Sequence, residues 1–491
     1  MADPSRSVHT PEAVSGRNPL LWLTGVLLGL GLLAMTFLLP PPSGMSHEAW
    51  RCAGLAMLMA VFWSTEALPI PVTSLLPLLL APMMGLVSLN KAAEPFAHPV
   101  IFLFMGGFVL GLAMERWNLH RRIALLTMLA AGTGEQRQVI GFMVATAFIS
   151  MWVSNTATTI MMLPIGMSVI SMMQEEHKTQ GQFPTALLLA IAYGASIGGL
   201  GTLIGTPPNA LLAAFLQEQY SIEIGFAQWL AIGLPASIIM LLITGWWLVR
   251  GGYTLRSSES ETIRASLKQQ LQDLGSLCGG EKLVAAIFLL TAAGWVFRPL
   301  LLDLFPGLPV TDTTIALLGA VLLFMVPVGW KKLAFLMDWK DIRRLPWDVL
   351  LLFGGGLSLA SVIRKSGLAD WIAANLNILD GMPMVFAIAL VVTVIIFLTE
   401  VTSNTATTAA FLPPLGALAV SLGMSPEMLA IPAALAASCA FMLPVATPPN
   451  AIVFGAGMLS IRQMVRSGLI LNLAGILIIT ALCSLLVDVV L

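Results

Sequence analysis

The stretch Ser154-Asn155-Thr156-Ala157-Thr158-Thr159 occurs a second time, unchanged, as Ser403-Asn404-Thr405-Ala406-Thr407-Thr408. The copies lie 249 residues apart, and the same register pairs Leu103-Phe104 with Leu352-Phe353, Gly106-Gly107 with Gly355-Gly356, and Pro164 with Pro413. Further on the spacing becomes 241 and pairs Thr206-Pro207-Pro208-Asn209-Ala210 with Thr447-Pro448-Pro449-Asn450-Ala451, as a longer polar linker from Gln174 to Phe183 in the first copy requires. The chain is an internal duplication.

The surroundings of these motifs are apolar. Of 491 residues, 57% are hydrophobic and 10% charged, with a mean hydropathy of +0.90, outside the range of soluble domains. Runs near the ~20 residues that cross a bilayer as helix recur from Pro19 to Leu491. Residues 1–19 read as a cytoplasmic tail, too long and polar for a signal-peptide start, so 20–47 holds a retained first span. Repeat 1 occupies 48–250, with spans at Glu48 to Trp63, Pro71 to Val87, Pro99 to Glu115 and Phe226 to Val249. It also holds an amphipathic stretch from Trp117 to Ala131, a hairpin over 138–173 and a broken helix over 184–216. A charged segment, 251–282, reads as a solvated cytoplasmic linker. Repeat 2 occupies 283–491, with spans at Leu283 to Leu304, Thr313 to Val328, Trp347 to Val362 and Met464 to Leu491. Its interfacial stretch is Leu368 to Leu376, its hairpin 384–422 and its broken helix 426–458. The expectation is an all-α polytopic membrane protein with eleven transmembrane helices and two re-entrant hairpins.

With the N-terminus cytoplasmic, 19 of the 24 Lys and Arg fall on inside loops and five outside, namely Arg51, Lys91, Arg298, Arg364 and Lys365. The positive-inside rule then places the multi-pass chain in the cell inner membrane with its C-terminus outside. Five crossings separate equivalent positions, so the second repeat is inverted relative to the first. Inverted repeats with broken helices are the architecture of secondary transporters, whose site lies at the repeat interface.

Each hexamer places hydroxyls, an amide and unpaired backbone N–H groups at a half-helix N-terminus, where carboxylates bind. Each Thr-Pro-Pro break frees preceding carbonyls to coordinate a hard cation such as Na+. Two such half-sites suit an anion with a charge at each end, and neither tip nor break contains Lys or Arg to balance it, so co-bound cations are expected. A single Ser-Asn-Thr run would read as helix packing; two identical runs, each followed by Thr-Pro-Pro-Asn, read as a site. Gly106-Gly107 and Gly354-Gly355-Gly356 read as close helix packing, and Glu400 as a residue facing a wet cavity in preference to a proton-sensitive group. Glu66, Glu115 and Asp348 read as interfacial. Cys52, Cys278, Cys439 and Cys483 read as packing residues, and the five histidines, in predicted loops, form no metal-ligand spacing. No nucleophile–base pair is found, so an enzyme is not expected.

With these motifs, and with Ser438-Cys439-Ala440-Phe441-Met442-Leu443-Pro444-Val445-Ala446 leading to Asn450 and Val453, the chain resembles the divalent anion/sodium symporter family. That family includes the sodium-dicarboxylate cotransporters and the INDY proteins, and the resemblance covers Leu20 to Leu491. It implies that Ser154, Asn155 and Thr156 with Ser403, Asn404 and Thr405 hold the substrate carboxylates, beside Pro207 and Pro448; Thr206 and Thr447, from the same breaks, are counted with them. It also implies one Na+ site on Ser150, Ser154, Asn155 and Gly205 and another on Thr399, Thr402, Asn404 and Ala446. A homodimer and an elevator-type movement are further implications, with Trp117 to Ala131 and Leu368 to Leu376 as arms. The expected function is import of C4-dicarboxylates (succinate, malate, fumarate) with co-transported Na+. Dicarboxylate exchange on the same fold, or sulfate or tricarboxylate as substrate, stands as the alternative.

Overall fold

A computed structural model describes residues 19–177, 182–257, 259–307, 309–329, 334–375 and 383–490. The tail to residue 18, part of the linker from Gln174 to Phe183, and Arg6, Arg17, Lys178, Lys331, Lys332, Leu376 and Leu491 lie outside these. The described chain is helical apart from one two-stranded ribbon, β1 (Pro327–Gly329) against β2 (Ala334–Phe335). That ribbon ends the predicted span at 313–328 early, because Pro327 has no N–H with which to continue a helix.

The helices are α1 (Pro19–Leu38), α2 (His47–Thr65), α3 (Ile70–Thr73), α4 (Leu76–Met83), α5 (Leu89–Ala93), α6 (Pro99–Arg116) and α7 (Leu119–Ala131), followed by α8 (Glu135–Ser150), α9 (Asn155–His177), α10 (Phe183–Leu200), α11 (Pro207–Tyr220) and α12 (Phe226–Trp246). After α13 (Glu261–Asp273) come α14 (Gly279–Leu304), α15 (Asp312–Met325), α16 (Trp347–Lys365), α17 (Leu368–Asn375), α18 (Met384–Thr399), α19 (Asn404–Ser421), α20 (Glu427–Ala437), α21 (Pro448–Gly455) and α22 (Ile461–Val490). The span expected at 71–87 is two short helices, since Pro77 at the start of α4 withholds the bond that would join it to α3.

Among the described residues, seven helical segments are long and apolar enough to cross a membrane, one of them Asn155–Gln174 in the second limb of the first hairpin. That limb is therefore longer than expected, although α8 is short at 16 residues. Lipid-facing helices show the complementary pattern, with only 28% of the most apolar window of α14 and 33% of that of α22 buried inside the protein.

At the centre lie α10 and α20. α10 is buried along its whole length and packs against α8, α9, α12 and α21; α20 packs against α18, α19, α22 and α11. Small residues permit this. A Cβ on Gly194 would stand 2.7 Å from the Met143 carbonyl oxygen, and one on Gly198 would fall on the Ala147 carbonyl, so the backbones of α10 and α8 nearly touch. The scaffold glycines act likewise: Gly106 lies against the backbone of Ala316 in α15, and Gly355 against Ser74 between α3 and α4. Of the cysteines, Cys52, Cys439 and Cys483 are buried, but Cys278 is exposed, and its Sγ accepts from the Glu281 N–H to cap α14. His120, expected in a loop, is buried in α7 with Nδ1 3.0 Å from the Met114 carbonyl.

The segment 251–282 is not a free linker. Its extended start docks on the N-terminus of α8: the Arg256 N–H donates to Glu135 (2.8 Å), Gln136 donates to the Leu255 carbonyl (3.1 Å), and Arg137 pairs with Glu259 (2.5 Å). α13 then packs on α7 and α9 with Ile263 and Leu267 fully buried. Arg122 in α7 closes the strap onto α14 through Glu281 at 2.5 Å.

Gly198→Leu is expected to force α8 and α10 apart and to cost about 1–3 kcal/mol or more, read as a lower melting temperature of the detergent-solubilised protein. Gly31→Ala, in α1 with nothing within 4 Å of the added Cβ, provides the comparison and tests whether the loss follows backbone contact.

Candidate functional site

The hairpins turn at Met151–Ser154 and Glu400–Ser403, and each hexamer opens a helix, α9 at Asn155 and α19 at Asn404. The Ser154 carbonyl accepts from Thr158 N–H (2.9 Å) and that of Ser403 from Thr407 N–H (2.8 Å). The third threonine of each run stitches the first turn, Thr159 Oγ1 to Asn155 O and Thr408 Oγ1 to Asn404 O, both at 2.8 Å. The Ser-Asn-Thr triads are half-buried at both tips.

Behind each tip a hydroxyl and an amide oxygen converge. Ser150 Oγ lies 2.6 Å from Asn155 Oδ1 and 2.7 Å from the Ala195 carbonyl oxygen, two acceptors for its one proton. Thr399 Oγ1 likewise lies 2.8 Å from Asn404 Oδ1 and 2.9 Å from the Ala437 carbonyl oxygen. The first cluster also gathers Gly205: a Cβ placed on Gly199 would lie 2.8 Å from Asn155 Oδ1 and 3.1 Å from the Gly205 carbonyl oxygen, so both oxygens crowd one point. The first copy therefore brings together Ser150, Asn155 and Gly205, all of them oxygen donors, the ligand chemistry a hard cation takes. In the second copy Thr399 and Asn404 meet, and the Ala446 N–H ties that residue to the break by donating to the Leu443 carbonyl (3.2 Å). Two predicted ligands have their hydroxyls otherwise engaged. Ser154 Oγ accepts from Ala157 N–H (3.2 Å), and Thr402 Oγ1 bonds the Leu398 carbonyl (2.9 Å) and Thr407 (2.6 Å).

The breaks are tidier than freed carbonyls alone would make them. Asn209 Nδ2 donates to the carbonyls of Gly199 (3.1 Å) and Thr202 (2.8 Å), and Asn450 Nδ2 to those of Ala440 (3.2 Å) and Leu443 (3.0 Å). The last residue of each Thr-Pro-Pro-Asn thus staples the backbone that the prolines interrupt. In both, Oδ1 is buried without a hydrogen-bond partner, an acceptor left over in each break. These staples were absent from the residues expected to form the site, although their repetition at positions 209 and 450 was a readable signal.

Each break also starts a half-helix with proline at its first position, α11 behind Thr206 and α21 behind Thr447. α11 packs on α19 and α21 on α9, so each repeat's half-helix lies on the other repeat's hairpin. Tyr193 of α10 crosses the same interface, donating to the Phe441 carbonyl at 3.1 Å. The halves differ in exposure. Residues 200–206 are buried, whereas Val401 is 62% and Val445 80% exposed beside the second tip and break. Pro448 is exposed and Pro207 half-buried, with Thr206 and Thr447 buried.

Glu400 does not face a wet cavity. It is 3% exposed and accepts hydrogen bonds from the backbone N–H groups of Phe441, Met442 and Leu443 and from Asn472. Nothing in the local sequence around Asn472 marked it as a partner. A separate cavity of about 160 Å³, lined by Phe215, Tyr220, Arg364, Asp370 and neighbours, lies at the ends of α11, α16 and α19 and includes none of the predicted site residues.

This duplicated arrangement of tips and breaks falls within residues 21–490, all of which match the model of the sodium:sulfate symporter transmembrane region. The chain belongs to that family. A protein of Staphylococcus saprophyticus named sodium-dependent dicarboxylate transporter SdcS is 42% identical over 480 residues, covering 96% of this chain and 92% of the relative. The protein of the same name from Staphylococcus aureus is 41% identical over 465 residues, covering 93% and 89%. Among solved structures, the Alcanivorax borkumensis YdaH transporter superposes with a TM-score of 0.56 at 16% identity, over 96% of this chain and 98% of that one. The likeness extends to the overall fold.

Asn209→Asp and Asn450→Asp retain the side-chain shape but remove the donors. Each is expected to strand two carbonyls and to cost about 1–3 kcal/mol, seen as a lower melting temperature in detergent. Variants that melt with the parent protein would show that the staples do not hold the breaks.

Proposed function

We propose that this chain is a secondary active transporter that imports C4-dicarboxylates such as succinate, malate and fumarate with co-transported Na+. The observation that carries this reading is the pair of oxygen clusters behind the helix N-termini, Ser150 with Asn155 and Gly205 in the first repeat and Thr399 with Asn404 at the equivalent place in the second. Carboxylate oxygens meet the unpaired N–H groups and positive dipole ends at Asn155 and Asn404, with the hydroxyls of Ser154, Thr156, Ser403 and Thr405 at hand. Pro207 and Pro448, with Thr206 and Thr447, border them from the half-helices packed across the interface. Sodium occupies the positions behind, on Ser150, Ser154, Asn155 and Gly205 and on Thr399, Thr402, Asn404 and Ala446.

The charge argument sets the coupling. Neither hairpin tip nor break contains Lys or Arg, so a dianion enters a site whose fixed positive charge is only partial. Sodium supplies the balance, and substrate and cation favour each other's binding. The names of the two staphylococcal relatives support both partners of the symport.

The same reading makes the protein a homodimer of the cell inner membrane with eleven crossings per chain, N-terminus cytoplasmic and C-terminus outside. α8–α12 and α18–α22 move together as an elevator against the remaining helices, and α7 and α17 serve as arms.

Purified protein in proteoliposomes is expected to accumulate labelled succinate under an inward Na+ gradient with no internal substrate. Asn155→Ala and Asn404→Ala are each expected to reduce that uptake by tenfold or more while remaining folded. Uptake only against internal succinate would establish an exchanger, and uptake of sulfate or citrate but not succinate would reassign the substrate.

A further inference from the structure

Glu400 is a buried carboxylate to which the transport reading assigns no task. Oε1 accepts from the N–H groups of Phe441 (2.8 Å) and Met442 (2.9 Å) and from Asn472 Nδ2 (2.7 Å); Oε2 accepts from Met442 (3.1 Å) and Leu443 (3.0 Å). Every partner is a donor. A protonated carboxyl would have to place its own hydrogen among them and would lose an acceptor position, so this geometry is that of the ionised group. Among the described residues, no Lys, Arg or His lies within ion-pair distance of it. The charge is stabilised by three consecutive peptide N–H groups turned to one side, the concave arrangement that elsewhere binds free anions.

This grip shapes the break. Turning the N–H groups of 441, 442 and 443 toward Glu400 sends the carbonyls of 440, 441 and 442 the other way. There Asn450 Nδ2 meets Ala440 O (3.2 Å) and Tyr193 Oη meets Phe441 O (3.1 Å). Glu400 also directly follows Thr399, whose hydroxyl is 2.8 Å from Asn404 Oδ1. One side chain therefore links the hairpin tip, the break and, through Asn472, α22.

The first repeat is built otherwise. The register that pairs Ser150 with Thr399 puts Met151 at the position of Glu400, and its backbone carbonyl accepts from Thr202 Oγ1. That link between tip and break is neutral. The equivalent oxygen pairs, Ser150 with Asn155 and Thr399 with Asn404, thus differ in that the second has a buried carboxylate on the residue next to its hydroxyl.

We propose that Glu400 is a positioning residue for the second break and the fixed charge that makes the repeat-2 sodium position, at Thr399, Thr402, Asn404 and Ala446, the tighter of the two and the first to fill. This rests on the sodium-coupled reading above. A charge in the poorly polarisable interior acts on a neighbouring cation far more strongly than it would through water, and the oriented peptide units on the far side of the nest add to the attraction. The second position therefore fills at lower Na+ and sets the tip and break for the substrate.

The test follows the melting temperature of detergent-purified protein during NaCl titration against choline chloride, without substrate, beside the Na+ dependence of succinate uptake in proteoliposomes. Glu400→Gln is expected to raise the Na+ concentration for half-effect about tenfold in both readouts, while the succinate KM at saturating Na+ stays within twofold. Unchanged Na+ dependence in a folded Glu400→Gln protein overturns the proposal, as does a drop in melting temperature that leaves the Na+ titration where it was. The order of filling is testable with Glu400 in place: Thr399→Val is expected to abolish the tighter phase of the Na+ titration and Ser150→Ala the weaker one. The reverse assignment sinks the proposal even if Glu400→Gln fails to fold. A parent protein with no sodium response in either readout would instead overturn the sodium-coupled reading and this inference with it.

Discussion

Unwound backbone at membrane depth must find its hydrogen bonds inside the protein, because lipid offers none. Two helices of this chain are interrupted in the middle of the core, and much of the surrounding structure answers that need. Asn209 and Asn450 each reach back from the following half-helix to staple two carbonyls at the start of the break. Ser150 and Thr399 bond to α10 and α20 through the carbonyls of Ala195 and Ala437. Glu400 takes up three amides of the second break, and Tyr193 one of its carbonyls. Among the described residues, the acceptors left over at the breaks after this accounting include Asn209 Oδ1 and Asn450 Oδ1. Satisfying the break and making the site are two sides of one arrangement.

Close approach of backbones makes the arrangement possible. α10 lies so near α8 that Gly194 and Gly198 admit no side chain, and this brings Ser150 and Asn155 to the end of α10 without long side chains to reach across. Rigid packing of this kind fixes short polar groups to within fractions of an ångström, which ion coordination demands. The cross-packing of α11 on α19 and of α21 on α9 then holds the two clusters, each built within its own repeat, side by side.

The duplication has not stayed symmetric. The hydroxyl–carbonyl bonds at the ends of α10 and α20 follow a spacing of 242 (Ala195 with Ala437), whereas the stapled carbonyls follow 241 (Gly199 with Ala440), so one residue slips within the last turn before each break. The second copy also bears a buried charge and is open to solvent around Val401 and Val445, while the first is neutral at that place and closed over residues 200–206. Around the outside, the strap at 251–282 clasps α7, α8 and α9 to the start of α14, joining at one place the bodies that an elevator movement would separate.

How much of this was legible in the chain follows from what is local. The identical hexamers, the repeated Thr-Pro-Pro-Asn and the single register between copies established the inverted duplication, the breaks and the tip residues, because proline and helix N-termini act on their immediate neighbours. The grouping of Ser150, Asn155 and Gly205 came from the family resemblance and not from these local features; the structure brings oxygens of these three residues near one another. Pro77 marks the split of the span at 71–87 locally; tertiary structure alone decided that the charged linker folds against α7 and α9 through Ile263 and Leu267, and that Glu400 turns away from water to meet Asn472 on another helix. Contacts between residues dozens of positions apart leave no periodicity or composition in either segment. They are set by which helices the packing of small residues brings side by side, and a buried charge is tolerated only where that packing aims enough donors at it.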